Sequence, residues 1–181
     1  MRFETRLFIL LVLGCIALCP AVGRAEGSTP FQISLFHPYQ WHPADESVDG
    51  FRWDIIYGVN EDIQGIDLGM VNNAHGDAHG LEIGVFNRVN KDFGGVELGF
   101  VNEVKGDFKG VQLGVITCVS RRSFQGVQAS VFFNEVTDDM RGLQLGIVNH
   151  AGSLDGVQIG LFNFNDDTKH LGFFPFINAA F

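Results

Sequence analysis

Cysteine is nearly absent from this 181-residue chain: there are three, and Cys15 and Cys19 both fall within the first 19 positions. A product that loses those positions keeps Cys118 alone, which excludes a disulfide framework and a thiolate metal site. Long apolar runs are also missing. The one candidate, Leu7 to Leu13, even when extended through Leu18, is shorter than the roughly 20 residues a membrane-spanning helix needs. Basic side chains are in deficit, 12 against 21 acidic, for a net charge of −9. A surface of that sign repels nucleic acid and anionic lipid. The constellations of common catalysts are missing as well: there is no Gly-x-Ser-x-Gly elbow, no phosphate-cradling Gly-x-x-x-x-Gly-Lys and no HExxH, and Cys118 has no histidine in register beside it. No enzymatic activity or cofactor is expected.

The amino terminus fixes the expected compartment. Arg2 and Arg6 precede the apolar run, and small residues follow at Gly23 and Ala25, the pattern of a signal peptide spanning residues 1–25. A rival reading takes Val12-Leu13-Gly14-Cys15 as a lipobox with a lipid anchor on Cys15, although Leu13 fits poorly there. Removing residues 1–25 takes away Arg2, Arg6, Arg24 and Glu4, leaving 9 basic against 20 acidic side chains, a net charge of −11. The expected location is the cell surface, outer membrane or medium of a bacterium, with the periplasm as an alternative.

What is abundant is glycine, 23 residues, and phenylalanine, 18 against 2 tyrosines. A repeat explains both. It reads Gly, aliphatic, Asp/Glu/Gln, aliphatic, Gly, apolar, apolar, Asn. The copies run Gly65–Asn72, Gly80–Asn87, Gly95–Asn102, Gly110–Thr117, a degenerate Gly126–Phe133, Gly142–Asn149 and Gly156–Asn163, and their opening glycines step by 15, 15, 15, 16, 16 and 14 residues. A worn copy, Phe51–Asn60, precedes them. The chain therefore divides into the leader (1–25), an amino-terminal cap (26–49), a β-repeat domain (50–163) and a carboxy-terminal cap strand (164–181).

Within a copy, Val111, Leu113 and Val115 alternate with Gln112 and Gly114. Period two predicts a strand with one buried face. On the ordinary expectation that apolar side chains point inward, the aliphatic row forms the core and the Gln/Glu/Asp and Gly rows a flat solvent face. Phe93, Phe108, Phe124, Met140 and Leu154, each just before a new unit, are expected to close the core from a second strand or corner. The phenylalanines at 86, 100, 132 and 162 are assigned to the core as well.

The pattern fits an all-β parallel solenoid or β-roll, in which each repeat is one coil, or an antiparallel meander closed as a small outer-membrane barrel. Three features favour the solenoid. Asn72, Asn87, Asn102, Asn149 and Asn163 share one position and would stack as an amide ladder. Asp67, Glu82 and Glu97 share another without basic neighbours, which is tolerable in solvent but not inside a narrow barrel. The apolar stripe covers about five residues per repeat, against the roughly 9 to 11 of a tilted transmembrane strand. For the barrel speak a mature length suited to eight strands and the terminal Phe173–Phe181 segment ending in an aromatic; against it stands Pro175 within that strand.

Phe31-Gln-Ile-Ser-Leu-Phe36, Ile56-Tyr-Gly-Val-Asn60, the tandem units and Phe174-Pro-Phe-Ile-Asn178, in that order, resemble an uncharacterised family of bacterial surface-repeat proteins. The resemblance covers nearly all of the chain after the leader. It implies export and display at the cell envelope, and carries over no activity or functional residue. The short aliphatic-x-aliphatic-Gly strand is also similar to the fifteen-residue coils in heads of trimeric autotransporter adhesins.

No metal is expected; the weak candidates are His75, Asp77 and His79 in one loop and the Asp77, Asp92 and Asp107 series, equivalent in three successive repeats. They are the positions to inspect for a transition metal or calcium. The bland reading is that these are solvent positions, since His75 and His79 correspond to Lys105 and Lys109 in a sister repeat. The expected role is a non-enzymatic structural or adhesive one toward an unknown protein or glycan partner, with outer-membrane association and self-association both compatible. A secreted calcium-dependent binding module is the other alternative to the barrel.

Overall fold

The computed structural model describes residues 27–167 and 172–181. The leader and Cys15 lie outside the described residues. Twelve strands and no helix occur among those described: β1 Ser28–Phe36, β2 Tyr39–Gln40, β3 Ser47–Asn60, β4 Ile63–Ala74, β5 Ala78–Ile83, β6 Phe86–Val89, β7 Phe93–Val104, β8 Phe108–Ser120, β9 Phe124–Ser130, β10 Phe133–Leu145, β11 Val148–Asn165 and β12 Phe173–Ala180. Each repeat pairs in parallel and in register with the next, so that Gly50, Gly65, Gly80, Gly95, Gly110, Gly126, Gly142 and Gly156 form one column. The result is a parallel β-solenoid of about nine turns. The barrel alternative is corrected by this pairing: successive repeats run parallel rather than antiparallel, and the sheet runs in one open path from β12 to β2.

Only the ends are antiparallel. The two-residue β2 lies on β1, and β12 lies on β11. Both blunt an edge that would otherwise offer unpaired backbone. Pro175 falls where the β11–β12 register shifts, between the Gly160–Phe176 and Asn163–Phe174 pairs, so its missing N–H interrupts no ladder.

The opening glycine of each repeat is required by contact as well as conformation. At Gly110 φ is 140°, and an added Cβ would lie 1.9 Å from the stacked carbonyl oxygen of Gly95. No L side chain fits between coils this close.

Each coil points four columns inward. Two are apolar and face each other at one corner. The first runs Val48, Ile63, Ala78, Phe93, Phe108, Phe124, Met140 and Leu154, the five from Phe93 onward as expected, with the rings of Phe93, Phe108 and Phe124 stacked 5.0 and 4.6 Å apart. The second contains Ala74, Val89, Val104, Val136 and Ala151. The other two columns are polar, and here the expected facing is reversed. Asp67, Glu82, Glu97, Gln112, Gln128, Gln144 and Gln158 are buried, while Leu113, Val115 and Ile116 are 40–47% exposed. Phe86, Phe100, Phe132 and Phe162 lie outside too, 46–55% exposed, not in the core.

The reversal has a physical cause. A carboxamide buried alone forfeits its hydrogen bonds with water, but in-register stacking about 4.8 Å apart gives each one an identical neighbour. In a lumen this narrow the stacked amides satisfy one another, and the aliphatic row is left outside.

Candidate interaction surface

The lumen sets the shape of the outer surface. One polar column runs from end to end as Gln32, Arg52, Asp67, Glu82, Glu97, Gln112, Gln128, Gln144, Gln158 and Asn178. In its second half each amide donates to the oxygen of the coil before: Gln112 to Glu97 at 2.6 Å, Gln128 to Gln112 at 2.9 Å, Gln144 to Gln128 at 2.8 Å, Gln158 to Gln144 at 2.8 Å; Asn178 closes the row on Gln158 at 2.8 Å. In its first half the row is ionisable. Arg52, fully buried, holds Asp67 through two hydrogen bonds and lies 3.1 Å from Asp54. Burial pushes the Asp54 carboxyl up to about 7, beyond what Arg52 offsets. Burial likewise raises Glu97 to about 8 against the hydrogen bond from Gln112. Glu82 is held well above the usual carboxylate range, first by burial and then by Glu97 and Asp67. Glu97 thus keeps its proton at neutral pH and Glu82 is shifted the same way, and a protonated carboxyl offers the donor and acceptor of a glutamine.

The second polar column is the expected asparagine ladder. Asn72 donates to Asn87 and Asn87 to Asn102 at 3.0 Å, and Asn134 to Asn149 and Asn149 to Asn163 at 2.8 Å. Each also donates to a carbonyl of the next coil, as Asn87 does to Leu98 at 2.8 Å. The second glycine of the repeat makes room: a Cβ on Gly99 would lie 2.3 Å from the Asn102 Oδ1.

Cys118 stands in this column between Asn102 and Asn134, because the sixteen-residue coil inserts one residue between Gly114 and Thr117. The sequence alignment that put Thr117 at the Asn position is therefore off by one there, as is the one that put Phe133 in place of Asn134. The buried thiol, pushed up to about 12 by burial, faces Asn102 at 3.6 Å and Ala129 O at 3.5 Å. It leaves the Asn134 Oδ1 without a donor. Cys118→Asn supplies two N–H groups, one for Ala129 O and one for Asn134, and is expected to stabilise the fold by about 1 kcal/mol, read as a higher midpoint in thermal or urea unfolding.

With the polar rows inside, the outer wall is apolar. Its columns include Ile66, Leu81, Val96 and Val111; Leu68, Ile83, Leu98 and Leu113; and Met70, Val85, Phe100 and Val115. Trp53, Ile55 and Ile56 extend the wall at one end, and Leu161, Phe162, Phe176 and Ile177 at the other. No charged side chain interrupts these columns. Polar residues flank them on both sides. Along one flank Arg88 meets Glu103 at 2.7 Å, and Arg121 lies 3.5 Å from Glu103 and 3.4 Å from Glu135. Burial works against the Glu103 charge, but Arg88, with Arg121 and Lys105, holds that carboxyl below its usual range. The other flank carries Gln64, His79, Lys109, Gln125 and Arg141.

The weak metal candidates lie on the remaining corner and flank. Asp77, Asp92 and Asp107 form a column in which each Oδ1 accepts the backbone N–H of the next coil: Asp92 to Asp77 at 3.0 Å, Asp107 to Asp92 at 2.8 Å and Ser123 to Asp107 at 3.2 Å. Their oxygens serve as turn caps. His75 and His79 are both exposed, and among the described residues no three His, Cys, Asp or Glu side chains converge to hold a metal ion. A groove of about 430 Å³ runs over this side, with His79, Asp92, Asp107, Lys109 and Arg141 on its walls and Phe93, Phe108 and Phe124 also lining it.

Geometry therefore defines a repeat protein of the β-solenoid class, with a polar lumen and an apolar outer wall. No protein-family model, curated protein or solved structure matches the chain.

Proposed function

We propose that this chain is an exported, non-catalytic repeat module of the bacterial cell envelope, whose role is structural or adhesive contact made through its outer wall. The observation that carries the reading is the wall itself, a continuous, uncharged apolar surface backed by a lumen of stacked asparagine and glutamine ladders. Exposed apolar patches of this extent mark contact surfaces. The leader-like residues 1–25, the absence of catalytic motifs and the resemblance to surface-repeat proteins support the same reading.

Fractionating cells that produce the full chain tests it. The expected result is a product shortened at its amino terminus and recovered in the envelope or medium. Recovery of the uncleaved chain in the cytosol would contradict the proposal.

A further inference from the structure

We infer that the partner of the apolar wall is a second copy of this chain, packed wall to wall. This rests on the contact reading above and names its partner. The half-exposed side chains of the wall sum to an apolar area on the order of 1,500 Å², against roughly 300–600 Å² for the largest patch on a typical monomer. That is about twice the ~800 Å² each partner contributes to a standard stable interface.

Charge favours the same occupant. The acidic excess is carried on the corner and flanks, as at Asp77, Asp92 and Asp107, so two copies meet on neutral surface and the polar flanks become the rim of the interface.

Relief matches too. The outward rows of Leu98 and Phe100 stand on either side of the backbone strip at Gly84, Gly99 and Gly114, whose absent side chains would point inward, and two such faces can pack as sheets do, about 10 Å apart. Near the carboxy-terminal end the wall has a groove of about 490 Å³ lined by Val131, Ile147, Ile159, Leu161 and Phe176. Ala129 stands in the neighbouring ridge where most repeats have Leu or Ile. A two-fold axis crossing the wall between Phe100 and Val115 sets the coils of Met70 and Phe86 opposite this groove. Those two side chains are 53% and 51% exposed.

The test is the mass of the full chain, purified without detergent, by light scattering and sedimentation at tens of micromolar, with circular dichroism alongside. The expected mass is twice that of one chain. Phe86→Lys with Phe100→Lys is expected to weaken pairing at least tenfold with an unchanged β spectrum, and Lys109→Glu on the flank to leave it intact. As a second measurement, in a chain with Cys15 and Cys19 replaced by Ser, Val115→Cys beside the axis should be joined between copies by a short bis-maleimide, since the walls lie too far apart for a direct disulfide, while Gln125→Cys and the parent of that variant should not. A single-chain mass for the unaltered protein, pairing indifferent to the double substitution, or no crosslink at Val115→Cys would each overturn the inference. So would flotation of a single-chain species with phosphatidylcholine vesicles, which would assign the wall to lipid. A monomer in the envelope sinks the pairing alone, and a paired chain in the cytosol sinks the envelope reading alone.

Discussion

Raising the pH from about 4.5 to about 8 is expected to destabilise the folded chain, and replacing Glu82 and Glu97 by Gln to remove most of that loss. In the unfolded chain Glu97 titrates near 4.5, whereas the buried carboxyl keeps its proton to about 8. Between those values the folded state binds more protons than the unfolded one, so stability falls as pH rises. The contribution is complete below about 4.5 and is lost progressively as the pH approaches 8. Glu82 acts in the same direction, and so does Asp54, raised to about 7. For Glu97 alone the loss is on the order of 4 kcal/mol. Gln at both positions extends the existing Gln112–Gln158 row without an ionisable group. Urea unfolding of the two proteins at acidic and mildly alkaline pH reads the effect. The curves should nearly coincide at acidic pH, with the substituted protein the more stable at alkaline pH; parallel pH profiles would show that the two carboxyls face water.

Arg52→Leu is expected to destabilise the fold by about 3–5 kcal/mol, because it leaves Asp67 and Asp54 buried beside an apolar side chain. Arg52 is the one cation in the lumen column, and it holds both carboxylates and the Asn73 carbonyl at 3.1 Å. The loss belongs to the stranded charges, not to an intrinsic strength of the ion pairs. Adding Asp67→Asn and Asp54→Asn to Arg52→Leu should therefore recover most of it. Denaturant titration of the single and triple variants decides the matter: a triple variant no more stable than Arg52→Leu alone would place the contribution of Arg52 in packing.

Much of the fold was legible in the sequence because stacking writes itself as identity at a fixed step. The asparagines at 72, 87, 102, 149 and 163 announced a ladder, and Phe93, Phe108 and Phe124 an inward corner. Period two, however, says only that two faces of a strand differ. Assigning Val111 and Leu113 to the core used a rule made for lumens wide enough to need apolar filling. The same identity that revealed the asparagine ladder was present in Gln112, Gln128, Gln144 and Gln158, and Arg52 stood in register with Asp67; together they mark an inward polar row. The displaced position of Cys118 was hidden because a sixteen-residue step does not show where the extra residue sits, and only the pairing of Cys118 with Asn102 and Asn134 locates it. The apolar wall follows from the facing, which period two leaves open, and Phe86 and Phe100 therefore stand outside.

The most direct test of an inward polar row and an outward apolar wall is the infrared carbonyl band of protonated carboxylic acids at neutral pH. A lumen-facing Glu82 and Glu97 predict such a band in the folded protein, reduced to the share of Asp54 after both are replaced by Gln and lost on unfolding. Complete ionisation of every carboxyl group at neutral pH would put that row in water and return the aliphatic residues to the inside.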